Sequence, residues 1–218
     1  MANYDWREFR NRNWLDRFPD NVRGYTVWRQ QRFEERLDLR ALASSVIDAR
    51  MHAQSGPARA CLFVSHKQAD VNQATRIAYL ACQEGFDYWL DVLDPSLAGV
   101  GGSGTTPEQI AAATAALVEM ALLNSSHVMA VMTPNTKGSQ WVPYEYGRVK
   151  TPQVKSLQAS CWVDRVVATA PLPEYLYLGP VLKSEIDIRQ WLKSELQNHP
   201  ARHSVSPCSW KGPTPTPI

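Results

Sequence analysis

Glu145 is the residue in this sequence best placed to do chemistry. It lies four positions after Trp141 in the stretch Ser139-Gln140-Trp141-Val142-Pro143-Tyr144-Glu145-Tyr146-Gly147-Arg148-Val149-Lys150. On a helix, positions i and i+4 share a face, so an indole would stand beside a carboxylate. The question that face poses is whether Glu145 is a working carboxylate or surface decoration. The competing reading is structural. Trp141 would pack on the core, and Glu145 would pair with Arg148 at i+3 for about 0.3 kcal/mol. On these residues alone both readings stay open.

Two other short stretches carry polar groups of the right kind. Ser65-His66-Lys67 follows the apolar run Ala60-Cys61-Leu62-Phe63-Val64, and Trp89-Leu90-Asp91 closes a second apolar run. Adjacent Ser and His residues form no catalytic triad, because neighbours on a strand point to opposite sides. A hydroxyl, an imidazole and an ammonium on one loop do suit ribose or phosphate oxygens. Equally, they can be plain loop residues, Trp89 plain core and Asp91 the start of a turn.

The elements that must position these residues can be read from periodicity and caps. After about residue 59 the sequence alternates short apolar runs with helical patterns. Strands are expected at 60–64, 86–92, 127–132 and 156–163, with a short fifth at 175–178. Asp70 with Gln73 reads as a capping box opening a helix that Gly85 closes. Thr106-Pro107-Glu108-Gln109 reads as a cap with Pro at N1 and Gln at N3. Helices are expected over 140–150, with Pro143 tolerated in its first turn, and over 184–197, with Ile188, Trp191, Leu192 and Glu195 on one side. This order specifies an α/β fold, a mainly parallel five-stranded sheet with helices on both faces. Ser65, His66, Asp91 and Glu145 all fall at strand ends or on the helix after one. In a doubly wound sheet those ends share one edge, where ligands bind.

Composition narrows the field. A chain of 218 residues suits one domain with extensions, and a formal charge of +2 points to neither nucleic acid nor an acidic partner. No apolar run has the length of a membrane span, and the N-terminus is too charged for a signal peptide. Cys61, Cys82, Cys161 and Cys208 are widely spaced and form no CxxC pair, which reads as reduced thiols in a cytoplasmic protein. The five histidines do not cluster with them, so no metal site is expected. The loop Gly99-Val100-Gly101-Gly102-Ser103-Gly104 matches GxGxxG, but it trails its strand and lacks the later acidic residue of a dinucleotide fold. Without a lysine after Gly104 it is no phosphate loop either, and a mobile loop bordering a site fits it better. Residues 1–57 read as a helical extension, and the first sixty residues carry eleven of the sixteen arginines and none of the seven lysines. Its aromatics Trp6, Phe9, Trp14 and Phe18 offer interface anchors. Residues 58–198 form the domain, and 199–218 a Pro-rich tail expected to be disordered or extended.

The ordered motifs resemble a Toll/interleukin-1 receptor (TIR) domain, in particular the bacterial TIR domains that consume NAD. The resemblance covers about residues 59–197. It rests on a strand into Ser65-His66, an aspartate-led helix, Gly85 followed by Trp89-Leu90-Asp91, a helix ending near Asn124-Ser125-Ser126, a strand into Thr133-Pro134-Asn135, and Ser139-x-Trp141-Val142-x-x-Glu145. It implies a flavodoxin-like fold, and NAD as substrate with no resident cofactor. It puts Glu145 in the catalytic position, with Ser65, His66, Lys67, Trp89, Asp91, Trp141 and Tyr144 lining the substrate site. It further implies self-association through the loop at 93–105, ADP-ribose or a cyclic ADP-ribose isomer as product, and a separate effector that senses that product in Thoeris-type antiphage defence. The alternatives are a non-enzymatic TIR scaffold acting by TIR–TIR contact, and a nucleoside deoxyribosyltransferase relative that also uses a glutamate.

Overall fold

Five short, apolar strands build one sheet, and the caps and glycines between them set the helices on its two faces. The structure is a computed structural model that describes residues 60–93, 97, 106–123, 125–148, 158–169, 171–200, 210 and 213–218. The expectations for residues 1–57, for the glycine-rich stretch 99–104 and for most of the loop 93–105 lie outside the described residues. In chain order the elements are β1 (Cys61–Ser65), α1 (Val71–Gln83), β2 (Asp87–Trp89), α2 (Pro107–Leu123), β3 (His127–Met132), α3 (Trp141–Arg148), β4 (Ala159–Val163), β5 (Val181–Leu182) and α4 (Glu185–Asn198). The sheet order is β2-β1-β3-β4-β5, and every neighbouring pair is parallel. This is the flavodoxin-like α/β fold.

Side-chain alternation along the strands sorts the core into two layers. Phe63, Trp89, Val128, Ala130 and Val163 pack beneath Val118 and Leu122 of α2 and Val142 and Tyr146 of α3. Leu62, Val64, Met129, Val131 and Trp162 pack on the other face, beneath Ala74 and Ile77 of α1 and Ile188, Trp191 and Leu192 of α4. Each such side chain, fully buried, stabilises the fold by about 1.5–3 kcal/mol. The chain passes from β1 through α1 to β2, then back across β1 through α2 to β3. The crossovers therefore leave a crevice above the ends of β1 and β3, the switch point of an open parallel sheet.

Local chemistry explains most of the boundaries. Gly85 takes a left-handed φ of 90°, and the Phe86 N–H donates to Ala81 O at 2.9 Å, closing α1 as expected. Gln109 accepts from the Thr106 N–H and returns its own N–H to the Thr106 hydroxyl, so the box that opens α2 is present. Asp70 does occupy the N-cap position of α1, but its carboxylate makes no cap. It accepts instead from Thr133 Oγ1 at 2.8 Å and Asn135 Nδ2 at 2.7 Å, bracing the ends of β1 and β3 together.

Three strand expectations need correction. β2 spans three residues rather than 86–92, because Asp91 starts a 3-10 turn and accepts from the Val92 N–H. β4 is Ala159–Val163, and Gln158, at a φ of 56°, lies outside it, while 156–157 of the expected strand lie outside the described residues. Residues 175–178 lie in a 3-10 turn between Pro173 and Gly179, and the fifth strand is the pair Val181–Leu182 beyond Pro180. Cys61 and Cys161 are buried free thiols, as expected, whereas Cys82 is disulfide-bonded rather than reduced. Linear spacing could not show that pairing, because a disulfide needs proximity in space.

The described residues of the tail, Trp210 and 213–218, pack against the domain. Trp210 sits with its ring 5.4 Å from those of Tyr79 and Tyr88. Arg76 pairs with Glu185 through two nitrogens and gives a third hydrogen bond to Pro215 O. The Ile218 N–H donates to the same Glu185 at 2.9 Å. No helix among the described residues is long and apolar enough to cross a membrane.

One backbone position tests this packing directly. A Cβ at Gly179 would lie 2.0 Å from Ala159 O and 2.6 Å from the Tyr146 hydroxyl. The carbonyl belongs to the first residue of β4 and cannot give way without moving the strand. Gly179→Ala is therefore expected to destabilise the fold by about 1–3 kcal/mol, read as a fall in urea midpoint at unchanged slope. An unchanged midpoint would show that β4 and the turn are not held in this register.

Candidate active site

The crevice at the switch point is built by the last residue of β1, the turn after β2 and the first turns of α3. Ser65 ends β1 on the layer that faces α3, and it pairs in register with Ala130 of β3. α3 follows β3 after a 3-10 turn whose own capping box, Thr133 with Thr136, fixes where the helix begins. Pro143 is the third helical residue, so its missing N–H falls where the helix needs no donor. Val142 and Tyr146 enter the core, and Tyr146 anchors its hydroxyl to Leu176 O. That docking turns Glu145 inward.

Glu145 is only 7% exposed, and Ser65 Oγ donates to its Oε2 at 2.5 Å across 80 residues of chain. Arg148, its alternative partner from the sequence, is engaged elsewhere. The guanidinium meets Glu119 of α2, and the Tyr144 hydroxyl donates to the other oxygen of the same carboxylate at 2.5 Å. The surface-pair reading of Glu145 therefore fails on geometry. Burial pushes its carboxyl up to about 7, with the nearby Asp91 charge adding to the rise and the Ser65 hydrogen bond opposing it. A carboxylate poised near neutrality in a crevice is a functional-site signature.

The remaining candidates separate into three groups. His66 and Asp91 are brought together: His66 Nε2 lies 3.3 Å from Asp91 Oδ1, and His66 Nδ1 lies 3.2 Å from Val64 O. Trp141 and Tyr144 stand at the rim, 43% and 40% exposed, with rings edge to face at 5.9 Å. Trp141 thus shares a side of the helix with Glu145 but points outward, forming a wall rather than a floor. Tyr144 offers a ring face, since its hydroxyl is held by Glu119. Lys67 is half-buried on the loop after β1, where its carbonyl accepts from the Asp70 N–H. Trp89 is corrected: it is 3% exposed, stacks on Phe63 at 4.6 Å and belongs to the core beneath the crevice rather than to its lining.

Two contributors escaped the sequence reading. Asp70 looked like a helix cap but braces the two strand ends. Glu119 ties α3 to α2 through Tyr144 and Arg148. Its signal was present, since it stands alone as a charge in the otherwise apolar second half of α2, Ala115 to Leu123.

The fold and the crevice define a flavodoxin-like α/β protein with a buried, hydroxyl-bonded carboxylate at the switch point of its sheet. No protein-family model matches the chain, and no curated protein matches it by sequence.

The raised ionisation of Glu145 has a definite sign in stability. The folded state holds the Glu145 proton more tightly than the unfolded chain, so this group's contribution is complete below about pH 4.5 and is lost as pH rises through about 7. Carboxylates with lowered values, such as Glu185, act in the opposite direction, so the comparison must be with a variant. Relative to wild type, Glu145→Gln is expected to gain up to about 3 kcal/mol between those limits. Paired denaturant titrations across that range measure it, and parallel stability curves would refute the buried ionisation.

Proposed function

We propose that this chain is a TIR-type enzyme that cleaves the nicotinamide–ribose bond of NAD, with Glu145 as its catalytic carboxylate. The observation that carries the reading is the buried Glu145 at the switch-point crevice, held by Ser65 and walled by the rings of Trp141 and Tyr144.

The chemistry needs one carboxylate. Nicotinamide leaves as a neutral molecule from a pyridinium, taking the electron pair of the C1′–N bond. No general acid is required, unlike the expulsion of an alkoxide. The demand is to stabilise the positive charge that builds at C1′, and an ionised Glu145 in a dry crevice supplies that opposite charge. Ser65 fixes which carboxylate oxygen is committed to the protein, leaving the other for the ribosyl group. Water adding to C1′ releases a proton and gives ADP-ribose. A nucleophilic atom of the same molecule adding instead gives a cyclic ADP-ribose isomer. Trp141 and Tyr144 offer ring faces for a planar base, and His66, Lys67 and Asp91 lie where ribose or phosphate oxygens would pass. In this reading the protein assembles through the loop at 93–105 and makes a diffusible product sensed by a separate effector in antiphage defence.

Concentrated protein incubated with NAD is expected to release nicotinamide, and chromatography of the nucleotide product distinguishes hydrolysis from cyclisation. Glu145→Gln is expected to lower the rate by about a hundredfold or more, with its circular-dichroism spectrum unchanged. Undiminished release from that variant, or no release from concentrated wild-type protein, overturns the enzymatic assignment. The second result would leave a TIR scaffold acting by domain contact.

A further inference from the structure

The run Pro213-Thr214-Pro215-Thr216-Pro217-Ile218 carries its conformation in its sequence. Each proline ring fixes its own φ at about −65°. Thr214 and Thr216 both precede a proline, which keeps them out of the helical region. The run is thereby confined to the polyproline-II range, and little ordering entropy is left to lose when it docks. Its inward positions fit that geometry. Pro215 and Ile218 are half-buried, while Thr214, Thr216 and Pro217 are exposed. A polyproline-II helix returns to the same side every three residues.

α1 and α4 receive this run on the face of the sheet away from α3. At the centre, Arg76 and Glu185 are paired through two nitrogens, and the Arg76 guanidinium lies 5.1 Å from the centre of the Tyr79 ring. The hydrogen-bonding capacity left over by that pairing is directed at the backbone of the run. Arg76 Nη1 donates to Pro215 O at 3.0 Å, and Glu185 Oε1 accepts from the Ile218 N–H at 2.9 Å. One donor and one acceptor, each fixed by the other, thus read a carbonyl and an amide on the inward side of the helix. Backbone contacts give affinity, and the ends add selectivity. Trp210 sets its ring 5.4 Å from Tyr79 of α1 and Tyr88 of β2, and its Nε1 donates to Pro213 O at 3.2 Å. Ile218 packs on the apolar layer beneath α1 and α4.

That layer does not draw its interior from the run. Its fully buried side chains, Leu62, Leu80, Phe86 and Ile188 among them, all come from residues between Ala60 and Leu192, and Trp210 and Ile218 lie against it partly buried. The run is seated on the domain as a peptide is seated on an aromatic-lined proline-recognition surface.

We propose that this face is a recognition site for proline-rich extended segments, and that residues 210–218 are its ligand, supplied by the same chain and separable from the fold. The ligand class is an aromatic residue followed by alternating prolines and a closing apolar residue. A segment of that pattern added in trans takes the same contacts. The face lies on the other side of the sheet from α3, so the inference stands apart from the cleavage of NAD.

The test uses the full chain carrying Trp210→Ala with Ile218→Asp. These changes remove the aromatic anchor and set a carboxylate beside Glu185, while the face itself is unaltered. A fluorescent peptide of residues 210–218, capped at both ends, is titrated with this variant and with wild type, and its anisotropy is followed. Saturable binding to the variant is expected. Binding to wild type is expected to be weaker by about tenfold or more, because the tethered segment competes at an effective concentration of about millimolar. A peptide with Trp210→Ala, or one methylated at the Ile218 nitrogen, is expected to bind the variant about tenfold more weakly. No binding to a variant whose circular-dichroism spectrum matches wild type overturns the proposal. Equal binding of the altered peptides, or equal binding to wild type, does the same. Failure of the variant to fold also overturns it, because the segment would then be part of the core. A wild-type dimer in sedimentation that the variant loses assigns the face to a second copy's segment and overturns docking within one chain.

Discussion

The hydrogen bond from Ser65 to Glu145 joins the end of the first strand to the helix that follows the third, and it exists because of where the chain reverses. Only at the switch point do two neighbouring parallel strands send their connections to opposite faces. A residue at the end of β1 then meets the next helix across an open crevice instead of a packed turn. Everything around the pair maintains that meeting. Asp70 ties the ends of β1 and β3 through Thr133 and Asn135. The Thr133 box sets the start of α3, and Glu119 clamps its outer side through Tyr144 and Arg148. Val142 and Tyr146 hold the inner side.

The treatment of buried charge separates this site from the scaffold. Arg76 is matched to Glu185 in a two-pronged pair with the tail carbonyl as a third acceptor. Glu119 is matched to a guanidinium and a phenol. Both arrangements supply the hydrogen bonds that make a desolvated charge tolerable. Glu145 receives a neutral hydroxyl instead, and burial, with a smaller push from the Asp91 charge, moves its pKa toward neutrality against the Ser65 hydrogen bond. A glutamine or an apolar residue there would spare the fold that desolvation, so the carboxylate is a cost to the scaffold.

The fold was legible in the sequence wherever local chemistry decides structure. β3 and the buried stripe of α4, Ile188, Trp191, Leu192 and Glu195, appear at the residues their periodicity marks. The Gly85 stop and the Thr106 box are equally local. What escaped was set by contacts distant in sequence. Asp70 has the composition of a cap, yet two donors from the turn after β3 outcompete the backbone for its carboxylate. The 3-10 turn over Glu174–Leu178 and the three-residue β2 depend on how an edge is finished. In the site, the sequence placed Ser65, Asp91 and Glu145 at one edge but could not show that Ser65 serves Glu145 directly. Trp89 looked like lining because its neighbours are, although a strand alternates faces and its indole turns under Phe63.

A second histidine–carboxylate pair in the same chain shows what the first is not. His127 begins β3 at the opposite edge of the sheet, with Nε2 3.1 Å from Glu195 and Nδ1 2.8 Å from the Ser126 hydroxyl. Phe86 and Trp191 close over it with edge-on rings, and the imidazole is fully buried. Ser126 in turn accepts from the Cys61 N–H. Serine, histidine and glutamate in a row have the composition of a nucleophilic relay. Here the hydroxyl is sealed at 0% exposure between backbone and ring, with no room for a reacting atom. Both His127 nitrogens face a partner in hydrogen-bonding geometry, so the pair locks α4 to β3. His66 lies at the edge where the crevice opens, one nitrogen satisfied by backbone and the other facing a carboxylate off-line. The same two residue types therefore serve structure at one end of the sheet and remain electrostatically unfinished at the other, beside the only one of these carboxylates held by a lone hydroxyl.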